Sequence, residues 1–216
     1  MQLWVGLGNP GKEYENTRHN VGFAALDFIA RTENASFESS AKFFADIAKT
    51  PFAFLLKPTT FMNRSGQAVA ALAHFYKIPA ENIVIFHDDL DLMPGQIRFK
   101  QGGANAGHNG LKSIEANLAN KNFWRMRIGI GHPRTLQLPH SVVDFVLSSA
   151  DSAAQQKTEL AMAEIINHLE SLKNADFQKA QRFLNAFKIK NDENPRWTRI
   201  FFKKSVKILH LLNVRP

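Results

Sequence analysis

The sequence predicts an α/β fold: a largely parallel, twisted sheet covered by helices on both faces. Three observations carry this expectation. Short apolar or β-branched runs alternate with amphipathic runs along most of the chain, the pattern of strand–helix–strand units. At 216 residues the chain is long enough for one such domain with a substantial core. Hydrophobic residues make up 44% and charged residues 21%, the balance of an ordinary globular protein.

The elements follow in order. "LWVGLG" is short, apolar and closed by glycine, as a buried strand is. "VGFAALDFIART" carries Phe23, Leu26, Ile29 and Ala30 at helical spacing and predicts the first helix. "KFFADIAKT" and "PFAFLLKP" read as two strands separated by a turn at Thr50-Pro51. "SGQAVAALAHFYKI" reads as an Ala-rich amphipathic helix with Ser65 as N-cap and Pro79 just past its end. "NIVIFHDDLD" is a β-branched strand running into an acidic loop, and "GQIRFKQGG" alternates as a half-exposed strand does. "HNGLKSIEANLA" predicts a helix and "WRMRIGIG" another alternating strand. Two further helices are expected, "DSAAQQKTELAMAEIINHLESLK" and "DFQKAQRFLNAF". There is no internal repeat and no interdomain linker.

Composition excludes several classes of function. No run approaches the length of an apolar spanning helix. The first residues lack the basic and apolar regions of a secretory signal, so a cytoplasmic location is expected. Without cysteine there are no disulfides, thiolate zinc sites or cysteine nucleophiles. The net charge of +8 suggests a polyanionic partner. Yet seven Lys/Arg against two acids beyond Ile189 place +5 in the tail, leaving +3 for residues 1–188. A nucleic-acid argument therefore rests on local clusters.

"VGLGNPG" carries Gly6, Gly8 and Gly11 at G-x-G-x-x-G spacing, which opens the reading of a dinucleotide-dependent oxidoreductase. That loop should run into a helix whose amino end receives the pyrophosphate. Here "KEYENTRHN" follows without apolar periodicity, and the helix starts near Asn20 or Val21. Pro10 removes a backbone N–H, and Glu33, about 20 residues on, ends no convincing strand. The alternative is a strand-end turn that presents Asn9.

Other segments at strand ends or helix starts carry similar residues: Thr17-Arg18-His19-Asn20, Phe61-Met62-Asn63-Arg64-Ser65-Gly66 and Gly107-His108-Asn109-Gly110, with Asp88 where its strand leaves the sheet. Uncharged amides donate and accept hydrogen bonds, which suits peptide groups and a developing oxyanion. A histidine paired with an aspartate suits activation of water, because the carboxylate fixes the tautomer and stabilises imidazolium. Taken singly, each has a plainer reading. Asparagine before a helix is often an N-cap, and a lone histidine is often structural. "HDDLD" has the clustered carboxylates of a hard-cation loop, although H-E-x-x-H spacing is missing. Ser65 in "NRSGQ" does not match G-x-S-x-G, so a capping role suits it better than that of a nucleophile.

The blocks "VGLGNPGKEYENTRHNVGF", "KPTTFMNRSGQAV", "HDDLDLMPGQIRFK", "GHNGLKSI" and "WRMRIGIGHP", in this order, resemble bacterial peptidyl-tRNA hydrolase over about residues 2–187. The resemblance implies a monomeric three-layer α/β/α sandwich around a twisted mixed, largely parallel sheet. It implies hydrolysis of the ester joining a peptide to the tRNA 3′ end, without metal or organic cofactor, so that tRNA is reused in translation. Carried over by position, His19 is the general base, Asp88 its orienting partner and Asn9 its neighbour. Asn63 and Asn109 would hold the peptide and the terminal nucleotide, with Asn63 a candidate for stabilising the tetrahedral intermediate. Tyr14, Asn20, Met62 and His108 would line the same cleft. Arg98, Lys100 and Arg127 match the basic positions that contact tRNA phosphates near the acceptor end. Arg98 and Lys100 share one face of an alternating strand, and Arg125 and Arg127 repeat the pattern on another. The two pairs form candidate phosphate ladders.

Two departures stand out. "GGANAGHNG" replaces a run of glycines with an extra histidine, which implies a less flexible loop ahead of His108-Asn109. Residues 189–216 are longer than the family's usual ending, and "RWTRIFFKKSVKILHLL" is basic and partly amphipathic. The expectation is one catalytic domain over 1–188 and a poorly ordered extension over 189–216, the alternative being an added tRNA or membrane-surface contact. A catalytically inactive RNA-binding relative of the same fold is the competing function. The intact His19, Asp88, Asn9 and Asn63 argue against it.

Overall fold

A computed structural model describes residues 1–189, and the readings of the basic tail fall on residues 190–216, outside them. The chain opens with β1 (Gln2–Gly6), two single-turn 3-10 helices (Lys12–Tyr14 and Arg18–Asn20) and α1 (Val21–Thr32). There follow β2 (Glu38–Ser40), β3 (Ala45–Lys49), β4 (Ala53–Pro58), α2 (Ser65–Phe75) and β5 (Ile83–Asp89). Next come β6 (Ile97–Gln101), α3 (Asn109–Leu118) and β7 (Trp124–Gly129). Four helices close the described chain: α4 (Val142–Val146), α5 (Ser152–Asn167), α6 (Leu169–Lys173) and α7 (Phe177–Ala186).

The strands form one sheet in the order β2-β3-β4-β1-β5-β7-β6. Its four central strands β4, β1, β5 and β7 run parallel, while β2, β3 and β6 add antiparallel pairings at the edges. The predicted mixed, largely parallel sheet is what the chain forms. Side chains alternate across it, as the pleat requires. Leu3, Val5, Ile83 and Ile85 enter the core under α2 and α3, while Trp4, Val84 and Phe86 enter the core under α1, α5, α6 and α7. Two cores on opposite faces of one sheet make the three layers. Trp4 also ties the layers together. Its Nε1 donates to Gln2 Oε1 (2.7 Å), and Gln2 Nε2 donates to the Leu172 and Lys173 carbonyls at the end of α6.

Several local expectations are corrected. The strand expected from Lys42 begins at Ala45, because Ala41–Phe43 form a 3-10 turn and Phe44 takes the left-handed conformation (φ 51°). β2 is short, polar and exposed, and α4 spans only five residues, so neither carries a legible period. The expected helix from Asp151 to Lys173 breaks at His168, and the break turns Leu169 and Leu172 into the core. Ser65 is not an N-cap. It is the first residue of α2, and its buried hydroxyl donates to the Met62 carbonyl (2.9 Å). Among the described residues no helix is long and apolar enough to cross a membrane.

Candidate active site

The four parallel strands deliver their carboxyl ends to one rim of the sheet, and strand order reverses about β1, the place where open α/β sheets bind ligands. The glycines of the opening loop bring the next helix down onto this rim. A Cβ at Gly6 would run into the Gly22 carbonyl, and one at Gly22 into the Phe86 carbonyl and the Leu7 amide. Only glycine at both positions lets α1 start directly on β1 and β5. This close approach, not a pyrophosphate, explains Gly6 of the fingerprint, since only a single 3-10 turn and no α-helix follows Gly11. The segment ahead of α1 is fixed from outside as well. Thr17 bridges to Ser149, and Arg18 donates to Ser148 Oγ and the Ser149 carbonyl (both 2.7 Å) with its guanidinium 4.2 Å over the Phe145 ring. Arg18 is thereby a structural tie, and His19 beside it has a fixed backbone.

At the end of β5, Asp88 is 3% exposed and its Oδ1 receives two imidazoles, His19 Nδ1 and His108 Nε2, each at 2.9 Å. His108 is the N-cap of α3. Its Nδ1 accepts from the Gly110 and Leu111 amides (3.1 and 3.4 Å), so the ring must carry its hydrogen on Nε2 and donate to Asp88. With Asp88 ionised, His19 likewise donates through Nδ1–H. Its Nε2 keeps a lone pair, and the side chain is 12% exposed. Burial alone would push the Asp88 carboxyl up, but the imidazoles of His108 and His19 hold it well below the usual carboxylate range. Burial pushes His19 down, and the charge and hydrogen bond of Asp88 raise it further than burial lowers it.

His87, one residue back, points into the protein. Its Nδ1–H donates to the Asp88 carbonyl (2.7 Å), and its Nε2 is buried without a partner among the described residues. Burial, reinforced by His108, lowers it to about 3, so it stays neutral.

The amides divide into two kinds. Asn20 spends both ends of its side chain on the Asn9 backbone, accepting from Asn9 N–H and donating to its carbonyl (2.9 Å each). It is 3% exposed, and its side chain clamps the Asn9 backbone. It holds the N-cap position of α1 without capping it, so the plain reading of this asparagine is also corrected. Asn9 Oδ1 accepts from the Met62 amide (2.8 Å), which fixes the flip of the carboxamide and leaves Nδ2 to donate elsewhere. Asn63 and Asn109 are exposed at the starts of the turns that open α2 and α3. Neither side chain is committed to a protein partner among the described residues. Met62 is buried, packed so closely on Gly110 that a Cβ there would strike its Sδ. Tyr14 meets Phe61 edge to face at 6.4 Å. The exposed Phe61 was absent from the predicted site residues. A large aromatic just ahead of an asparagine-bearing turn was the available signal.

The basic residues are rearranged relative to expectation. Arg98 faces Arg127 and Lys100 faces Arg125 across the antiparallel β6–β7 pair, so all four start from one face of the sheet. Arg125 does not belong to the phosphate ladder: it is 1% exposed, with Nη2 paired to Glu115 at 2.8 Å. Arg127 Nε donates to Asp89 Oδ2 (2.6 Å), which leaves its Nη groups for another partner. Burial first, and then Arg127 and Arg125 nearby, lower the pKa of the Lys100 ammonium, with Asp89 offsetting part of the shift.

The donor set tests the cation reading. His19, Asp88 and His108 bring three potential ligand atoms within 4.8 Å of one another. The two backbone donors on His108 Nδ1 keep the proton on Nε2, however, and an N–H cannot ligate. Asp89 turns away to Arg127 and to the Asp91 amide. The two imidazoles are instead hydrogen-bonded to Asp88, and "HDDLD" does not converge on a point.

Comparison with known proteins agrees over nearly the whole described chain. The family model for peptidyl-tRNA hydrolase matches residues 3–192. The peptidyl-tRNA hydrolase of Bordetella avium is 49% identical over 189 residues, covering 86% of this chain and 91% of that one. The Neisseria meningitidis serogroup A protein of the same name is 47% identical over 190 residues, covering 86% and 97%. A crystal structure of peptidyl-tRNA hydrolase from Acinetobacter baumannii superposes with a TM-score of 0.81 at 39% identity, covering 87% of this chain and 96% of that one. The chain belongs to the peptidyl-tRNA hydrolase family.

Proposed function

We propose that residues 1–188 hydrolyse the ester between a peptide and the 3′ end of tRNA, using water activated by His19. The observation that carries this reading is the 2.9 Å contact from His19 Nδ1 to the buried Asp88. It commits Nδ1 to the carboxylate and leaves Nε2 as the basic atom on the cleft side. His19 Nε2 takes a proton from water as the oxygen attacks the ester carbonyl, and Asp88 stabilises the imidazolium that forms. The tetrahedral intermediate collapses as the imidazolium returns the proton to the leaving ribose oxygen. The products are a peptide carboxylate and a tRNA with its terminal hydroxyl restored. An ester is activated relative to an amide, so one base and an oxyanion site suffice without a covalent nucleophile.

Asn9 Nδ2 and the exposed Asn63 and Asn109 are the uncharged donors available to the oxyanion, the peptide and the terminal nucleotide. Tyr14 and Met62 flank them. Arg98, Lys100 and the free Nη groups of Arg127 would take acceptor-stem phosphates, a contribution that fades with salt.

Release of N-acetyl-amino acid from N-acetyl-aminoacyl-tRNA by wild type and His19→Ala tests the reading. Turnover in wild type and its loss in the variant are expected. Turnover that survives the substitution undiminished would sink the mechanism. Binding of tRNA without any turnover in wild type would mean an inactive relative.

A further inference from the structure

The loop 102–107 joins the cationic strand β6 to His108. Gly103 lies so near Lys100 that a Cβ there would come within 2.7 Å of Nζ. Four loop residues have positive φ: Gly102 (62°), Gly103 (100°), Ala106 (49°) and Gly107 (80°). For Ala106 this conformation costs about 1 kcal/mol, and such a residue persists only where its surroundings impose it. Apart from Asn105 the segment is glycine and alanine, which offer almost no side chain to pack, so it is held by backbone bonds and by that one side chain.

Arg125 holds it in that way. Reaching up from β7, its Nη1 donates to the Ala104 carbonyl (2.7 Å) and its Nη2 to the Gly103 carbonyl (2.8 Å). Nη2 also pairs with Glu115 Oε1 on α3, and the guanidinium lies 4.8 Å over the Phe123 ring. Glu115 Oε2 accepts from Asn105 Nδ2 (2.8 Å). Asn105 finishes the chain of bonds: its Oδ1 accepts from Gly107 N–H (3.2 Å) and its carbonyl from His108 N–H (2.9 Å). The path runs from the sheet to the backbone of the residue that donates to Asp88. A buried ion pair is a poor device for stability alone, since apolar residues of equal volume serve as well. Its directional bonds suit a backbone that packing cannot grip.

We propose that Arg125, Glu115 and Asn105 form a clamp that positions His108, keeping its Nε2–H on Asp88 so that Asp88 stays oriented toward His19. They are positioning residues and touch no reacting atom. The proposal rests on the role given to His19 and Asp88 above.

The test uses the full chain with Asn105→Gly, which removes the last link from an exposed loop, and Glu115→Gln, which keeps the shape and removes the charge. Nitrogen NMR of the imidazoles reports the His108 Nε2–H bond to Asp88 without reference to activity. Steady-state hydrolysis of N-acetyl-aminoacyl-tRNA separates kcat from KM. In Asn105→Gly we expect the His108 Nε2–H signal to broaden as its bond to Asp88 opens and kcat to fall about tenfold, with KM within about twofold, the signature of a misplaced group in a bound complex. Glu115→Gln should fall between this variant and wild type. An unchanged His108 Nε2–H signal in both variants overturns the proposal, as does a rise in KM at constant kcat, which would make the loop a substrate contact. If wild type proves inactive, the NMR measurement still decides the clamp, while the failure falls on the proposed reaction.

Discussion

The His19–Asp88–His108 centre and the cationic face of β6 and β7 lie side by side on one sheet and treat charge in opposite ways. At the centre, one buried carboxylate meets two imidazoles through fixed hydrogens, and each donor has an assigned acceptor. On the β6–β7 face, Arg98, Lys100 and Arg127 crowd together with Asp89 as the near anion, and the ammonium of Lys100 is lowered by burial and by its basic neighbours. The first region is complete without a partner and the second is not. A completed network is suited to directing a proton, and an incomplete one to attracting a polyanion. Arg125 and Arg127 sharpen the contrast, because they leave the same strand two residues apart toward the same face. One is sealed under a loop and holds it, and the other stands at the rim, 20% exposed.

The contrast can be broken or sharpened by experiment. The largest effect is expected at the centre. His19→Ala should lower kcat by about 10²–10⁴-fold with little change in tRNA binding, as loss of a general base does. Comparable losses in kcat and in binding would merge the two regions.

Asp88→Asn is next, with a loss of about 10–100-fold in kcat. It should also move the acid limb of the kcat/KM profile. Asp88 raises the His19 pKa net of burial, and the base must be neutral, so wild-type activity rises with pH through that raised value. Removing the carboxylate moves this limb to lower pH while the plateau falls. An acid limb that stays in place would assign it to another group.

His87 gives an effect on stability of about tenfold in the folding equilibrium per pH unit. Its pKa is near 3 in the folded protein and near 6.5 in the unfolded chain. Between these values the unfolded chain binds the extra proton, so stability falls as pH falls, by roughly 1.4 kcal/mol per unit. Unfolding free energies across this window should depend on pH more steeply in wild type than in His87→Asn, by about that slope. An identical slope in both would locate the acid sensitivity elsewhere.

The smallest effects are expected on the cationic face. Arg98→Ala or Lys100→Ala should raise KM by a few-fold, leave kcat unchanged and reduce the salt slope of tRNA binding by about one unit per lost contact. Slower turnover at saturating substrate with unchanged binding would move these residues into the first region.

Much of this was legible in the sequence, for local reasons. The helix over Val21–Thr32 and the strands around "LWVG", "NIVIFHDD" and "IRFKQ" carry their periods openly and form where expected. β2, α4 and the break at His168 were not legible, because a three-residue strand, a five-residue helix and a single off-helix backbone leave no period to detect. Residue type and position at strand ends offered His19 and His108 alike, and the pairing of His19 with Asp88 came from the family resemblance; the two atoms lie at hydrogen-bond distance. Arg125 was misread because alternation assigns a face but not what covers it. Here the cover is the loop that leaves the carboxyl end of β6 beside Arg125.

By itself, then, the sequence determined the alternation of strand and helix, the two-faced burial of the central strands, and the presence of amides, a histidine and an aspartate at strand ends. These are properties of neighbours along the chain, and the periods of helix and strand write them directly into residue order. The tertiary structure alone decided which nitrogen of His19 is free, which way the Asn9 carboxamide faces, that Asn20 is spent on the Asn9 backbone, and that Arg125 clamps while Arg127 is presented. Each depends on a hydrogen-bond partner from a different element, brought within about 3 Å by strand order and close helix approach. No period along one chain records that distance.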